Sequence, residues 1–168
     1  CFLSHYKVWQ MVAQGTEPVA VFEDDVKCTQ PLVSVIPLLR NHEFMYLVHS
    51  EQKEAGAKVV NEHLVKPCYP YWLAAYIITP AAAQKLISTD IHKNIIPCDE
   101  YLPRMMDKLD AVALRNPICM QISRSEMGTN IEPKSESDYF CDFHTHVVTC
   151  GDDAERMKAY DESCTRLG

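Results

Sequence analysis

The chain has 168 residues, 47% of them hydrophobic and 23% charged, with a formal net charge of −7. That length and apolar content suit one domain with a real core, and no apolar run approaches the roughly 20 residues that span a bilayer. With no basic cluster to release counterions, generic nucleic-acid binding is excluded, and an anionic ligand would need a metal ion or a local pocket.

Residues 2 to 14 read as an amphipathic helix, with Phe2, Tyr6, Trp9, Val12 and Ala13 on one stripe and Gly15 closing it. Val19 to Phe22 is a short, wholly apolar run of the kind buried on both faces in parallel sheets. Leu32 to Leu39 is apolar but carries Pro37, so any helix there is short. Phe44 to Val48 reads as a strand, Ser50 to Gly56 as a polar loop, and Leu73 to Ile78 as a third strand. Thr79 and Pro80 then supply an N-cap and first position for a helix through Ile87. Asp99 is placed to cap another helix with Leu102, Met105, Met106 and Leu109 inward, Pro103 being tolerable near its first turn. Ala111 to Leu114 and Ile118 to Ile122 are further strands, and the alternation predicts an α/β layered domain with a mostly parallel sheet. Residues 132–144 are polar and read as a linker, after which 145–168 restart a strand, a Gly-Asp-Asp turn and a helix. The eight cysteines are dispersed without a C-x-x-C spacing, so a zinc or redox framework lacks its pattern; their even number permits disulfides, and buried free thiols are favoured over these.

The chemistry concentrates where Val19-Ala20-Val21-Phe22 runs into Glu23, Asp24 and Asp25. About 0.4 such acidic triplets are expected by chance at this composition, so position rather than occurrence gives this one weight. It follows a predicted interior strand, and ligands of open α/β sheets bind beyond the carboxyl ends of strands. A hard divalent cation would relieve the repulsion among the carboxylates and leave coordination positions for phosphate oxygens. The bland alternative is a solvated strand-end loop. Asp99 and Glu100 likewise have a structural alternative, as cap and first-turn acids of a helix. Tyr71, Trp72 and Tyr76 suit either stacking on a sugar or base, or the core. Arg104 and Lys108 lie near the acidic pair in sequence, and His144 with His146 shares one strand face. A two-metal phosphoryl-transfer enzyme would use the same acids, but it calls for a basic groove that this sequence lacks.

Four segments, "CFLSHYKVW", "VFEDDV", "YPYWLAAYIITPAAAQKLI" and "IIPCDEYLPRMMDK", occur in this order. In order and spacing the series resembles glycosyltransferase family 25, on the side of its procollagen-modifying members rather than its bacterial lipooligosaccharide enzymes. The resemblance spans residues 1–131. It implies a GT-A-like, Rossmann-type sandwich and a metal-dependent, inverting transfer of galactose or glucose from a UDP-sugar to a hydroxyl acceptor. The acceptor would be protein hydroxylysine or a glycan. A non-catalytic sugar-nucleotide or glycan-binding module of the same fold is the alternative.

The resemblance assigns Glu23, Asp24 and Asp25 to a DxD-like site for Mn²⁺ or another divalent cation. Ser4, His5, Glu23, Asp24 and Tyr76 would shape the UDP-hexose site. Asp99 would be the general base, with Glu100 as substrate contact or alternate base. It further implies that an N-terminal β-α unit preceding Cys1 is missing. Residues 145–168 resemble the opening of a lysyl hydroxylase-type glycosyltransferase domain. A collagen-modifying role implies the endoplasmic reticulum lumen, and any other role the cytoplasm; homo-oligomerisation is left open.

Overall fold

A computed structural model of the chain describes residues 2–50, 57–89 and 96–122. The linker, the C-terminal β-α unit and His144/His146 lie outside the described residues. Helix α1 spans Phe2–Ala13 and buries Phe2, Trp9 and Val12 of the expected stripe, with His5 buried beside them and Tyr6 and Ala13 only half-buried. It stops as the Gly15 N–H bonds the Val12 carbonyl at 2.9 Å.

Strand β1 (Val19–Phe22) leads through a turn at residues 23–25 into β2 (Val26–Cys28). Two short 3₁₀ turns follow at Leu32–Ser34 and Ile36–Leu39, the second with Pro37 in its opening turn. Then come β3 (Phe44–Tyr46), β4 (Lys58–Val59), β5 (Leu64–Lys66) and β6 (Ala75–Ile78). Helix α2 (Pro80–Ile87) is capped by the Thr79 side chain, which accepts the Ala82 N–H at 3.2 Å. Helix α3 (Cys98–Met105), β7 (Ala111–Leu114) and β8 (Cys119–Gln121) complete the described elements. Among the described residues no helix is long and apolar enough to cross a membrane.

The main sheet has six strands in the order β1-β6-β3-β7-β5-β4, and β2 pairs with β8 in a separate ribbon. The fold is α/β, but the expected mostly parallel sheet is corrected. Among the described strands of this sheet only β3 and β7 pair in parallel, and the other neighbours are antiparallel. Uniformly apolar strands report burial on both faces, not direction, and β6 runs against β1 and β3 on either side of it. Strand β1 is also an edge strand rather than an interior one, with Val19 39% and Phe22 42% exposed.

Period-two alternation divides the core between the two faces of the sheet. Phe44, Tyr46, Tyr76, Ile78, Ala111 and Ala113 join Trp9, Leu86 and Leu102 from the three helices. Met45, Ile77, Val112 and Leu114 face Val35 and Leu39 of the 3₁₀ segment. The Phe44 and Tyr76 rings stack at 4.9 Å and 13°, an arrangement that adds about 0.5–1.5 kcal/mol to simple burial. Among the described cysteines Cys98 and Cys119 are buried thiols as expected, Cys28 is an exposed thiol, and Cys68 is disulfide-bonded.

Candidate functional site

The acidic turn sits where β1 ends. Its backbone is fixed at both sides: the Glu23 N–H bonds the Ala74 carbonyl at 2.8 Å, and the Ile122 N–H bonds the Asp25 carbonyl at 2.7 Å. The three side chains fan apart, as like charges at consecutive turn positions should. Glu23 points at α1, where its Oε1 lies 3.1 Å from His5 Nε2. Asp24 is exposed. Asp25 turns toward β8 and accepts from Gln121 Nε2 at 2.5 Å.

His5 is itself held from behind. Its Nδ1 lies 3.0 Å from the Tyr76 hydroxyl, which also accepts the Trp9 indole N–H at 3.1 Å. The network that satisfies every atom has Tyr76 donating to Nδ1 and His5 donating from Nε2 to the Glu23 carboxylate, a tautomer assigned from the bonding pattern. Tyr76 is fully buried, so it reaches the site through His5 rather than by facing a ligand. Ser4, His5, Val8, Val21, Phe22, Glu23 and Asp24 line a cleft of about 370 Å³ between α1 and the end of β1. A second cavity of about 380 Å³ is lined by residues such as Glu17, Arg40 and His42 and by none of the residues predicted from sequence to form the site.

The other acidic pair arrives from α3. Helix α3 starts after Pro97 without a side-chain cap, so the capping reading of Asp99 is overturned. Asp99 Oδ1 instead accepts the Leu73 N–H at 3.0 Å, tying α3 to the segment that enters β6. Glu100 is buried and clasped by two phenols: Tyr69 donates to Oε2 at 2.9 Å, and Tyr71 donates to Oε1. Pro103 falls in the second turn of α3 rather than the first, and the helix ends two residues later. Arg104 is half-buried in its last turn, and Lys108 is exposed beyond it.

Glu23 and Asp99 belong to one electrostatic site. Burial raises the Asp99 carboxyl above the ordinary aspartate range, and the Glu23 charge raises it further; the Leu73 N–H pulls it down, Glu100 pushes it up, and His5 pulls it down. Burial and the bond to Glu100 likewise hold the Tyr71 phenol well above its usual range. Between these anchored neighbours Trp72 adopts φ 71 and is 45% exposed. A bulky residue at positive φ is strained, and the bonds made by Tyr71 and Leu73 on either side hold it there.

Among the described residues, no three His, Cys, Asp or Glu side chains converge as a metal cage. The triplet therefore does not close on one ion as a three-carboxylate set. The residues do fit an ion that takes one or two protein carboxylates and fills its shell from phosphate and water. Asp25 Oδ1 is buried without a hydrogen-bond partner, an acceptor that a cation would satisfy, and Asp24, its neighbour in sequence, is exposed.

Two contributors were missed by sequence reasoning. Tyr69 carries a signal in retrospect, since Tyr69-x-Tyr71 in extended chain puts two phenols on one side. Gln121 carries none, because its role depends on the pairing of β2 with β8.

The family model described as glycosyltransferase family 25 (LPS biosynthesis protein) matches residues 1–102. The chain is 34% identical to the probable inactive glycosyltransferase 25 family member 3 of Bos taurus, over 64% of this chain and 20% of that relative. It is 33% identical to a glycosyltransferase 25 family member of Drosophila melanogaster, over 64% of this chain and 19% of the relative. Procollagen galactosyltransferase 2 of Homo sapiens is 32% identical, again over 64% and 19%. The chain spans about a fifth of the length of these curated relatives.

Proposed function

Since this chain belongs to glycosyltransferase family 25, we propose that it forms the reaction centre of an inverting, metal-dependent hexosyltransferase. The donor is a UDP-hexose, galactose or glucose, and the acceptor a hydroxyl group such as that of hydroxylysine in collagen-like protein. One observation supports this above the others: Glu23 and Asp99, 76 positions apart in sequence, are anchored on the consecutive residues Ala74 and Leu73, through the Glu23 N–H to the Ala74 carbonyl and the Leu73 N–H to Asp99 Oδ1.

Asp99 is the general base. It takes the proton of the acceptor hydroxyl as that oxygen attacks the anomeric carbon, while the bond to the diphosphate breaks on the opposite side. Its raised pKa suits it to hold that proton. Glu100, buried and bonded to Tyr69 and Tyr71, fixes those two phenols on the acceptor side beside Asp99, and Trp72 offers its indole face to a sugar ring. Ser4, His5 and Glu23 bind the donor in the cleft, with Tyr76 positioning His5. Asp25 and Asp24 hold the divalent cation, Mn²⁺ or another. When bound, that ion supplies Lewis-acid charge for the departing diphosphate.

A disulfide at Cys68 supports an oxidising compartment such as the endoplasmic reticulum lumen. Calorimetric titration with UDP-galactose and Mn²⁺ tests the donor site: Asp25→Ala weakens binding at least about tenfold, and identical heats for both proteins would remove the metal role. A second reading, a non-catalytic sugar-nucleotide-binding module, is favoured by the Bos taurus relative named probable inactive. It keeps the binding heat without transfer.

A further inference from the structure

Cys28 and Cys119 lie directly opposite each other in the β2–β8 ribbon. The backbone bonds Thr29 N–H to Ile118 carbonyl and Ile122 N–H to Asp25 carbonyl mark the alternating hydrogen-bonded positions of this ladder. The cysteines therefore occupy a non-hydrogen-bonded pair, where facing side chains come closest and the Cα separation falls to about 4.5 Å, within the range a disulfide spans. Their sulfurs are 2.8 Å apart, so bond formation needs less than about an ångström of movement. Cys28 is exposed and Cys119 is buried, which gives the pair one thiol open to solvent and one sheltered behind it.

We propose that Cys28 and Cys119 form a reversible cross-strand disulfide that locks the ribbon carrying the acidic turn. The exchange balances with a small-molecule disulfide as oxidant. The Cys28 thiolate attacks one sulfur of that disulfide, forming a mixed disulfide and releasing one small thiol. The Cys119 sulfur then attacks the Cys28 sulfur, the bond to the small molecule breaks, and the Cys119 proton passes to the departing sulfur, which leaves as the second small thiol. Two protein thiols become one disulfide and one oxidant molecule becomes two thiols. Burial, then the hydrogen bond with Cys28, pushes the Cys119 thiol up to about 12. Its attack therefore depends on the enforced contact with Cys28 rather than on a standing thiolate. Asp25 heads β2 and is bonded to Gln121 and Ile122 of the partner segment, so the closed pair restrains the turn from its far side.

The test equilibrates the full polypeptide in glutathione buffers of rising oxidised-to-reduced ratio, followed by acid quench, alkylation and non-reducing tryptic digestion. Residues 28–40 and 116–124 are the tryptic peptides that carry the two cysteines. They are expected as one linked species, two hydrogens lighter than their sum, appearing as both alkylated peptides disappear together. Cys98, buried in the core, is the internal reference and stays unlinked. Closing the 91-residue separation is expected to raise Tm of the oxidised protein by ~5 °C or more over oxidised Cys28→Ser. Cys28 found bound to glutathione or to another cysteine would overturn the proposal. So would both peptides remaining alkylated at the most oxidising ratio, or equal Tm values for the two proteins.

Discussion

Tyr76→Phe removes one oxygen from the most completely buried part of the site. That oxygen accepts the Trp9 N–H at 3.1 Å and lies 3.0 Å from His5 Nδ1, and both partners are buried. Each of the two groups left without a partner costs about 1–3 kcal/mol, so the substitution should destabilise the protein by roughly 2–6 kcal/mol. For a domain of this length that lowers Tm by about 4–24 °C. Guanidinium unfolding of wild type, Tyr76→Phe, Trp9→Phe and the double variant measures how much of the loss comes from the shared bond. A coupling energy of about 1–2 kcal/mol is predicted. The cost also reaches the cleft: without the Tyr76 hydroxyl, His5 no longer has a fixed ring orientation from which to hold Glu23, and UDP-hexose affinity should fall roughly tenfold. Additive single-variant effects, or a Tyr76→Phe protein as stable as wild type, would refute the relay.

The raised carboxyl of Asp99 makes a stability prediction with a definite sign. In the folded protein its ionised form is disfavoured, so the charge costs stability above the folded pKa, and the cost is relieved as pH falls through that value toward the ordinary aspartate range. Asp99→Asn, which still offers an oxygen to the Leu73 N–H, should be at least as stable as wild type at pH 7. Its advantage should shrink in acid, as followed by urea melts across pH. The same shift places the rising limb of the transfer rate above the pH at which an ordinary aspartate ionises. Trp72→Gly exchanges a large exposed side chain for freedom from a strain of about 1–2 kcal/mol. Its stability should stay within about 1 kcal/mol of wild type while acceptor affinity falls several-fold. A large stability loss without a change in acceptor binding would make Trp72 a packing residue.

Much of this fold is legible because apolar runs and caps are local signals. Phe2–Ala13, Val19–Phe22 and Thr79–Ile87 follow from stripe, run and cap with little help from the rest of the chain. Strand direction is not local. The run of β6 reads the same either way, and its insertion against β1 and β3 is decided by where the chain returns. The β4–β5 hairpin escapes notice because Lys58, Val59 and Lys66 are exposed and no apolar run marks it. Its turn is set by the Asn61 side chain, which accepts the His63 and Leu64 N–H groups.

The site divides in the same way. The order of motifs suggests that the Glu23 and Asp99 segments belong together, yet their separate anchors lie in contacts no spacing encodes. A carboxylate at a helix start reads as a cap until the Leu73 N–H is seen to claim it. Three adjacent acids read as one ligand set until His5 and Gln121 draw them apart.

The decisive measurement is hexose transfer onto a hydroxylysine-containing collagen peptide, followed by mass spectrometry with UDP-galactose or UDP-glucose and Mn²⁺. The full-length protein should add one hexose per modified hydroxyl, and Asp99→Asn should slow that addition by a factor of about 10²–10⁴ while still binding donor. Transfer at the wild-type rate by Asp99→Asn, or donor binding by the wild type with no hexose transferred, would contradict the proposed function.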